Sequence, residues 1–230
     1  MSAVPARALR IGFVHTAPAL TPTFEDLLAE YTTPEPAEAL HVADAWLLRT
    51  AMATGVDEGV HERVSRHVQH LADLGADAVL ITCSSIGETI ASAAEQVAIP
   101  VLRVDAAMAE QARDLAASGT HQRIAALATF ESTLGPTQRL LETAAGAGIE
   151  VTAEVVAGAA DAKASGDVAG HDAAIRAAAE RVAATADVIV IAQASMAPAV
   201  ADADLPVPAL TSPRGGVQAV LAAARRAGAS

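Results

Sequence analysis

Short apolar runs alternate along the chain with longer, alanine-rich stretches whose apolar positions recur at helical spacing. The runs are bounded by Gly, Pro, Asp and Ser, and they predict strands over residues 10–14, 38–42, 77–82, 101–104, 123–129, 150–156, 187–192 and 207–210. The stretches between them predict helices over 45–53, 58–74, 86–96, 105–117, 134–145, 171–184, 196–201 and 215–227. Gly55, Gly75, Gly119 and the pair Gly146 and Gly148 fall where these helices should stop. Strand and helix in alternation predict an α/β fold of parallel sheets joined by right-handed crossovers. Residues 18–36 and 161–170 read as loops that would set the width of any pocket, and 161–167 as a mobile lid.

The pattern is written twice. Ala76-Asp77-Ala78-Val79-Leu80-Ile81-Thr82-Cys83-Ser84-Ser85 lies over Ala186-Asp187-Val188-Ile189-Val190-Ile191-Ala192-Gln193-Ala194-Ser195 without a gap. Ile99-Pro100-Val101 is echoed by Leu205-Pro206-Val207, and Leu20-Thr21-Pro22-Thr23 by Leu134-Gly135-Pro136-Thr137. The expectation is two pseudo-symmetric lobes, each a short parallel sheet flanked by helices. The first would comprise 1–105 with 212–230, the second 106–211, and a cleft between them would hold the site.

Composition narrows the partners. Hydrophobic residues make up 52%, charged residues 18% and aromatics 2% of the 230 positions, so the core is built from Ala, Val, Leu and Ile. A net charge of −12, with 15 basic residues scattered among 27 acidic ones, argues against nucleic acid as a partner. No apolar run approaches the roughly 18 residues of a membrane span. Residues 1–10 carry no long apolar stretch of the signal-peptide kind. One cysteine forms no intrachain disulfide, which fits a reducing compartment, and a cytoplasmic location is expected. A dimer is the default expectation for oligomeric state.

That one cysteine, Cys83, stands where the apolar run 77–82 ends, followed by two serines. The carboxyl end of a parallel strand is where open α/β sheets place their chemistry. A helix starting near Ile86, capped by Ser84 or Ser85, would lower the thiol pKa and favour a bound carboxylate. In the internal alignment Cys83 faces Gln193, so one wall of the cleft would hold a thiol and the other a carboxamide.

The chain resembles the aspartate/glutamate racemase superfamily, which includes hydantoin racemases, maleate isomerases and arylmalonate decarboxylases. The likeness rests on Thr82-Cys83-Ser84-Ser85, on Leu127-Ala128-Thr129-Phe130-Glu131-Ser132-Thr133 and on Ala192-Gln193-Ala194-Ser195-Met196. It implies a cofactor-independent enzyme acting at a carbon beside the carboxylate of a small acid. Racemases of this group are similar in using one cysteine from each lobe; here Gln193 stands where the second is expected. A carboxamide has no titratable proton near neutral pH and cannot serve as acid or base. Three single-thiol routes remain open: covalent addition for cis–trans isomerisation, proton exchange on one face, and protonation of a carbanion after decarboxylation. A binding protein without catalysis is a further alternative. Each route passes through a charge that needs stabilising, and the resemblance points to the hydroxyls of Thr16, Ser84, Ser85, Thr129, Ser132, Thr133 and Ser195, with the amide of Gln193.

Other candidates read more plainly as structure. His15 ends the first strand as a shuttle or a wall residue. His61, His67 and His70 lack zinc spacing and fit a solvated helix face, so no metal is expected. Asp44 reads as a helix cap beside His41. Arg214-Gly215-Gly216 reads as a tight turn before the last helix, and no nucleotide-binding glycine pattern follows a strand.

Overall fold

The computed structural model describes residues 7–32 and 37–228. Two separate four-stranded sheets carry the same connectivity. The first holds β1 (Arg10–His15), β2 (Glu38–Ala43), β3 (Ala78–Ile81) and β4 (Val101–Arg103) in the order β2-β1-β3-β4. The second holds β5 (Arg123–Ala128), β6 (Glu150–Val155), β7 (Val188–Ile191) and β8 (Ala209–Thr211) in the order β6-β5-β7-β8. Every pairing is parallel. The helices are α1 (Thr21–Thr32), α2 (Ala45–Thr54), α3 (Glu58–Asp73), α4 (Ile90–Ala94), α5 (Ala106–Ser118), α6 (Glu131–Ala145), α7 (Ala159–Ala164), α8 (Val168–Val182), α9 (Ala197–Val200) and α10 (Ser212–Gly228).

Helices cover both faces of each sheet, which is why β3 and β7 are buried along their whole length. Alternate residues serve opposite faces. In the first sheet, Ile11, Phe13 and Leu80 pack with Phe24 and Leu27 of α1 and with Val217 and Val220 of α10. Val14, Val79 and Ile81 face Val60, Val64, Val68 and Leu71 of α3. In the second sheet, Leu127, Ile189 and Ile191 meet Ile175, Ala178 and Ala179 of α8, while Ile124, Val188 and Val190 meet Met108, Ala112 and Ala116 of α5.

The repetition extends to polar detail. Asp77 accepts the Arg10 backbone N–H at 2.7 Å, and Asp187 accepts that of Arg123 at 3.1 Å, so an aspartate clamps the start of each central strand pair. Arg10 bonds Glu38 across β1 and β2, and Arg123 bonds Glu150 across β5 and β6.

Four expectations about helices need correction. Residues 18–36 contain α1, whose Phe24, Leu27 and Leu28 are buried at helical spacing. Pro22 sits in its first turn, where a missing N–H costs nothing. Residues 33–36 of that expected loop lie outside the described residues. The helix expected over 86–96 is a 3₁₀ turn, Ser84–Thr89, with Ile86 off helical geometry, followed by the five-residue α4. The lid expected over 161–167 contains most of α7. Finally, α10 starts at Ser212, so Arg214-Gly215-Gly216 is helical, and Arg214 pairs with Glu30 and Tyr31 of α1. No helix among the described residues is long and apolar enough to cross a membrane.

Candidate active site

Carboxyl ends of strands from both sheets open into one cavity of about 350 Å³, a volume at the small end for metabolite pockets. Thr16 follows β1, Thr82 to Ser85 follow β3, Phe130 follows β5, and Ala192 to Ser195 follow β7. Cys83 and Gln193 occupy equivalent positions. Each is the extended residue before a 3₁₀ turn, with φ and ψ of −124° and 116° for Cys83 and −125° and 133° for Gln193.

Of the residues singled out in the sequence, Cys83, Thr16, Ser84, Ser85, Thr133, Gln193 and Ser195 line this cavity. Thr129 and Ser132 do not. Thr129 lies behind Gln193: its backbone N–H and its hydroxyl both donate to Gln193 Oε1, at 2.6 and 2.8 Å. The carboxamide is thereby oriented, with Nε2 left without a partner among the described residues. The Ser132 hydroxyl is buried and makes no hydrogen bond.

The serines after Cys83 do not cap a helix, because Cys83 itself holds the capping position and no side chain caps the turn. They connect the two sheets instead. Ser84 donates to the Ala192 carbonyl at 3.1 Å, and Ser85 shares a 2.9 Å hydrogen bond with Thr133 of α6.

The thiol is half-buried, and apolar groups such as Ala17, Leu20, Leu48 and Phe130 share its cavity. Burial is the largest influence on it and pushes its pKa above the ordinary thiol value. Hydrogen bonds from the Thr16 and Ser85 hydroxyls and from the backbone N–H groups of Ser85 and Ile86 act in the other direction, without winning. The lowering expected from a helix start survives only as the Ser85 and Ile86 N–H groups at the head of a 3₁₀ turn, and desolvation outweighs it. At neutral pH Cys83 is a thiol, with donors placed to receive the thiolate it would become.

Sequence reasoning gave no site role to the apolar lining, Leu48 and Phe130 among it, or to Lys163. Lys163 comes from α7, and partial desolvation holds it below the usual lysine value while the Asp172 carboxylate pulls the other way. It is the single lysine of the sequence and lies in 161–167, the segment expected to form a lid, and these were the two available signals.

The histidines lie elsewhere. His15 is fully buried, stacked on Phe13 and His41, and does not line the cavity. Thr82 donates to the Val14 carbonyl, so His15 Nδ1 donates to Thr82 at 2.8 Å; His15 Nε2 then accepts from His41 Nδ1 at 2.9 Å. Desolvation, then the neighbouring His41, lowers the His15 pKa to about 4. His61 bonds Ser92, and His67 bonds Asp44. Asp44 caps α2 through the Trp46 N–H, as expected, and also receives Arg63. Among the described residues no three His, Cys, Asp or Glu side chains converge as a metal site.

Twin parallel sheets of one order, closing on a shared cavity at their strand ends, define a doubled α/β fold of the racemase type. The family profile described as Asp/Glu/Hydantoin racemase matches residues 10–220, and the chain belongs to that family. Among solved structures it is similar to the aspartate racemase of Picrophilus torridus, with 13% identity over 95% of both chains and a TM-score of 0.72. The glutamate racemase of Bacillus anthracis gives 14% identity and a TM-score of 0.73, over 96% of this chain and 83% of that one. An unliganded arylmalonate decarboxylase gives 18% identity and a TM-score of 0.58, over 94% and 93%. No curated protein matches the chain in sequence.

Proposed function

We propose that this protein is a cofactor-independent isomerase of the racemase type, acting at the carbon beside the carboxylate of a small acid through Cys83. One observation carries the reading: the only thiol of the chain stands at a strand end, in a cavity built by both sheets, ringed by hydroxyl and backbone donors. A carbon acid beside a carboxylate gives an enediolate when its proton leaves, and pre-placed donors stabilise that charge. Among the described residues the Gln193 Nε2 and the Ser195 hydroxyl have no hydrogen-bond partner, and both are suited to hold the carboxylate. The global charge of −12 repels such an anion at long range, so these local donors supply the attraction.

A second reading, decarboxylation of a malonate-type acid, draws on the protonated state of Cys83. A buried neutral thiol is a ready proton donor to the carbanion left by carbon dioxide, and that step needs no group on the opposite face.

The test is deuterium incorporation from D₂O at the carbon beside the carboxylate. L-aspartate, L-glutamate, a 5-substituted hydantoin and phenylmalonate serve as probes, with carbon dioxide release followed for the last. Exchange or turnover in the wild type, reduced about 10²-fold or more in Cys83→Ala, is the expected outcome. Release from phenylmalonate alone would select the decarboxylase. Retained turnover in Cys83→Ala would refute both readings. Inertness toward all four, with the acids still raising the melting temperature, would leave a binding protein.

A further inference from the structure

One thiol accounts for one face of a substrate carbon, while Gln193, in the position equivalent to Cys83, cannot titrate. A second titratable group nevertheless reaches the same cavity. Lys163 lines it from α7, the segment that follows β6 of the second sheet, with Ala160 and Ala164 of the same helix beside it. Cys83 enters from the first sheet. We infer that Lys163 is the second proton-transfer group of the site, so that a thiol and an amine, one from each half of the molecule, act on opposite faces of the substrate carbon.

This rests on the carbon-acid chemistry proposed above and supplies the partner that chemistry lacks. The two environments push the pair in one direction. Burial keeps the thiol protonated, and desolvation moves Lys163 toward its neutral form, the direction a proton-accepting amine requires. Asp172 on α8 is the charge that acts on Lys163; it opposes the shift and favours the ammonium once formed.

The step balances. The amine of Lys163 takes the proton from the carbon beside the carboxylate, and the electron pair of that C–H bond passes into the carboxylate as an enediolate. Lys163 becomes an ammonium whose charge stabilises the enediolate. Cys83 gives its proton to the other face: the S–H bond breaks, a C–H bond forms and a thiolate remains. Return of the ammonium proton to the thiolate through solvent restores both groups, and the product differs from the substrate only in configuration.

Because Lys163 is the single lysine, reductive methylation with ¹³C-formaldehyde places one dimethyl-lysine signal in the NMR spectrum, distinct from the terminal amine and assigned by its loss in Lys163→Gln. Expected is titration of Lys163 below its value in the same protein unfolded in urea, with a second inflection from the Cys83 thiol that Cys83→Ala removes. An unshifted titration, or one with no Cys83 inflection, would overturn the pairing whatever the substrate. The second arm uses whichever of the four probe acids exchanges in the wild type. Lys163→Gln should lower interconversion of enantiomers about 10²-fold or more while Cys83, assayed at a pH high enough to form its thiolate, still exchanges deuterium into the enantiomer on its own face. Equal loss of both activities, or loss of neither, would refute a proton-transfer role. If no probe acid reacts with the wild type, the carbon-acid reading fails, and the titration alone then decides whether the two groups are coupled.

Discussion

Gln193 shows how one side chain can be structural and chemical at once. Its Oε1 accepts two hydrogen bonds from Thr129, and its Nε2 remains as a donor on the cavity wall. Replacing it by Ala would leave the Thr129 N–H without an acceptor, at a cost of about 1–3 kcal/mol. Gln193→Glu separates the two roles, since a carboxylate keeps both Thr129 bonds but loses the donor and adds charge. It should melt close to the wild type while losing affinity for small carboxylates, as thermal-shift titration with the probe acids can measure. At this scale the sequence was informative about residue types after a strand and blind to their partners. Seven of the nine residues it singled out line the cavity. Thr129 and Ser132 do not, because side-chain direction at a helix start depends on what lies behind it. Lys163 was passed over because nothing local distinguishes a lysine aimed at a cavity from one in solvent.

The elements divide in the same way. The eight strands were legible from short apolar runs, most plainly β1, β3, β5 and β7, where burial on both faces writes a local, contiguous signature. The helix α1 was hidden by the proline in its first turn, and α7 by its brevity. The segment after Cys83 was expected to be a regular helix, and two contacts decide otherwise. Ser84 and Ser85 are drawn to the other sheet, and Arg103, held by Asp105, lies against Gly87. A Cβ added at Gly87 would meet the Arg103 guanidinium at 2.7 Å. Helix α10 shows a firmer limit of the same kind: a Cβ at Gly216 would lie 2.9 Å from both Cγ2 and the carbonyl oxygen of Val104. Backbone does not give way as a flexible side chain does, so Gly216→Ala should destabilise by about 1–3 kcal/mol. Urea unfolding of the variant checks this.

For the molecule as a whole, the two halves are tied at the cavity by Ser84 to Ala192 and by Ser85 to Thr133, and at the surface by the ion pair of Arg139 with Glu88. The site is therefore a seam, and its shape depends on both halves being folded. Stability should also depend on pH through the first sheet. His15 is neutral in the folded protein down to about pH 4, whereas in the unfolded chain it protonates near its ordinary 6.5. The unfolded state thus binds more protons between these values, and stability falls as the pH drops through that window. The slope from this one group approaches about 1.4 kcal/mol per pH unit. Urea unfolding at pH 7, 6 and 5 would show the loss, and His15→Phe should flatten it.

By itself the sequence determined the alternation of strands and helices, the doubling, and the placing of Cys83 and Gln193 at equivalent strand ends. These are matters of period and punctuation, written within a few residues of where they act. Only the tertiary structure decided that the thiol stays protonated, that the serines join the sheets, and that an amine reaches the cavity. Each depends on groups brought together from distant parts of the chain, where desolvation and hydrogen-bond partners, rather than residue type, set the chemistry.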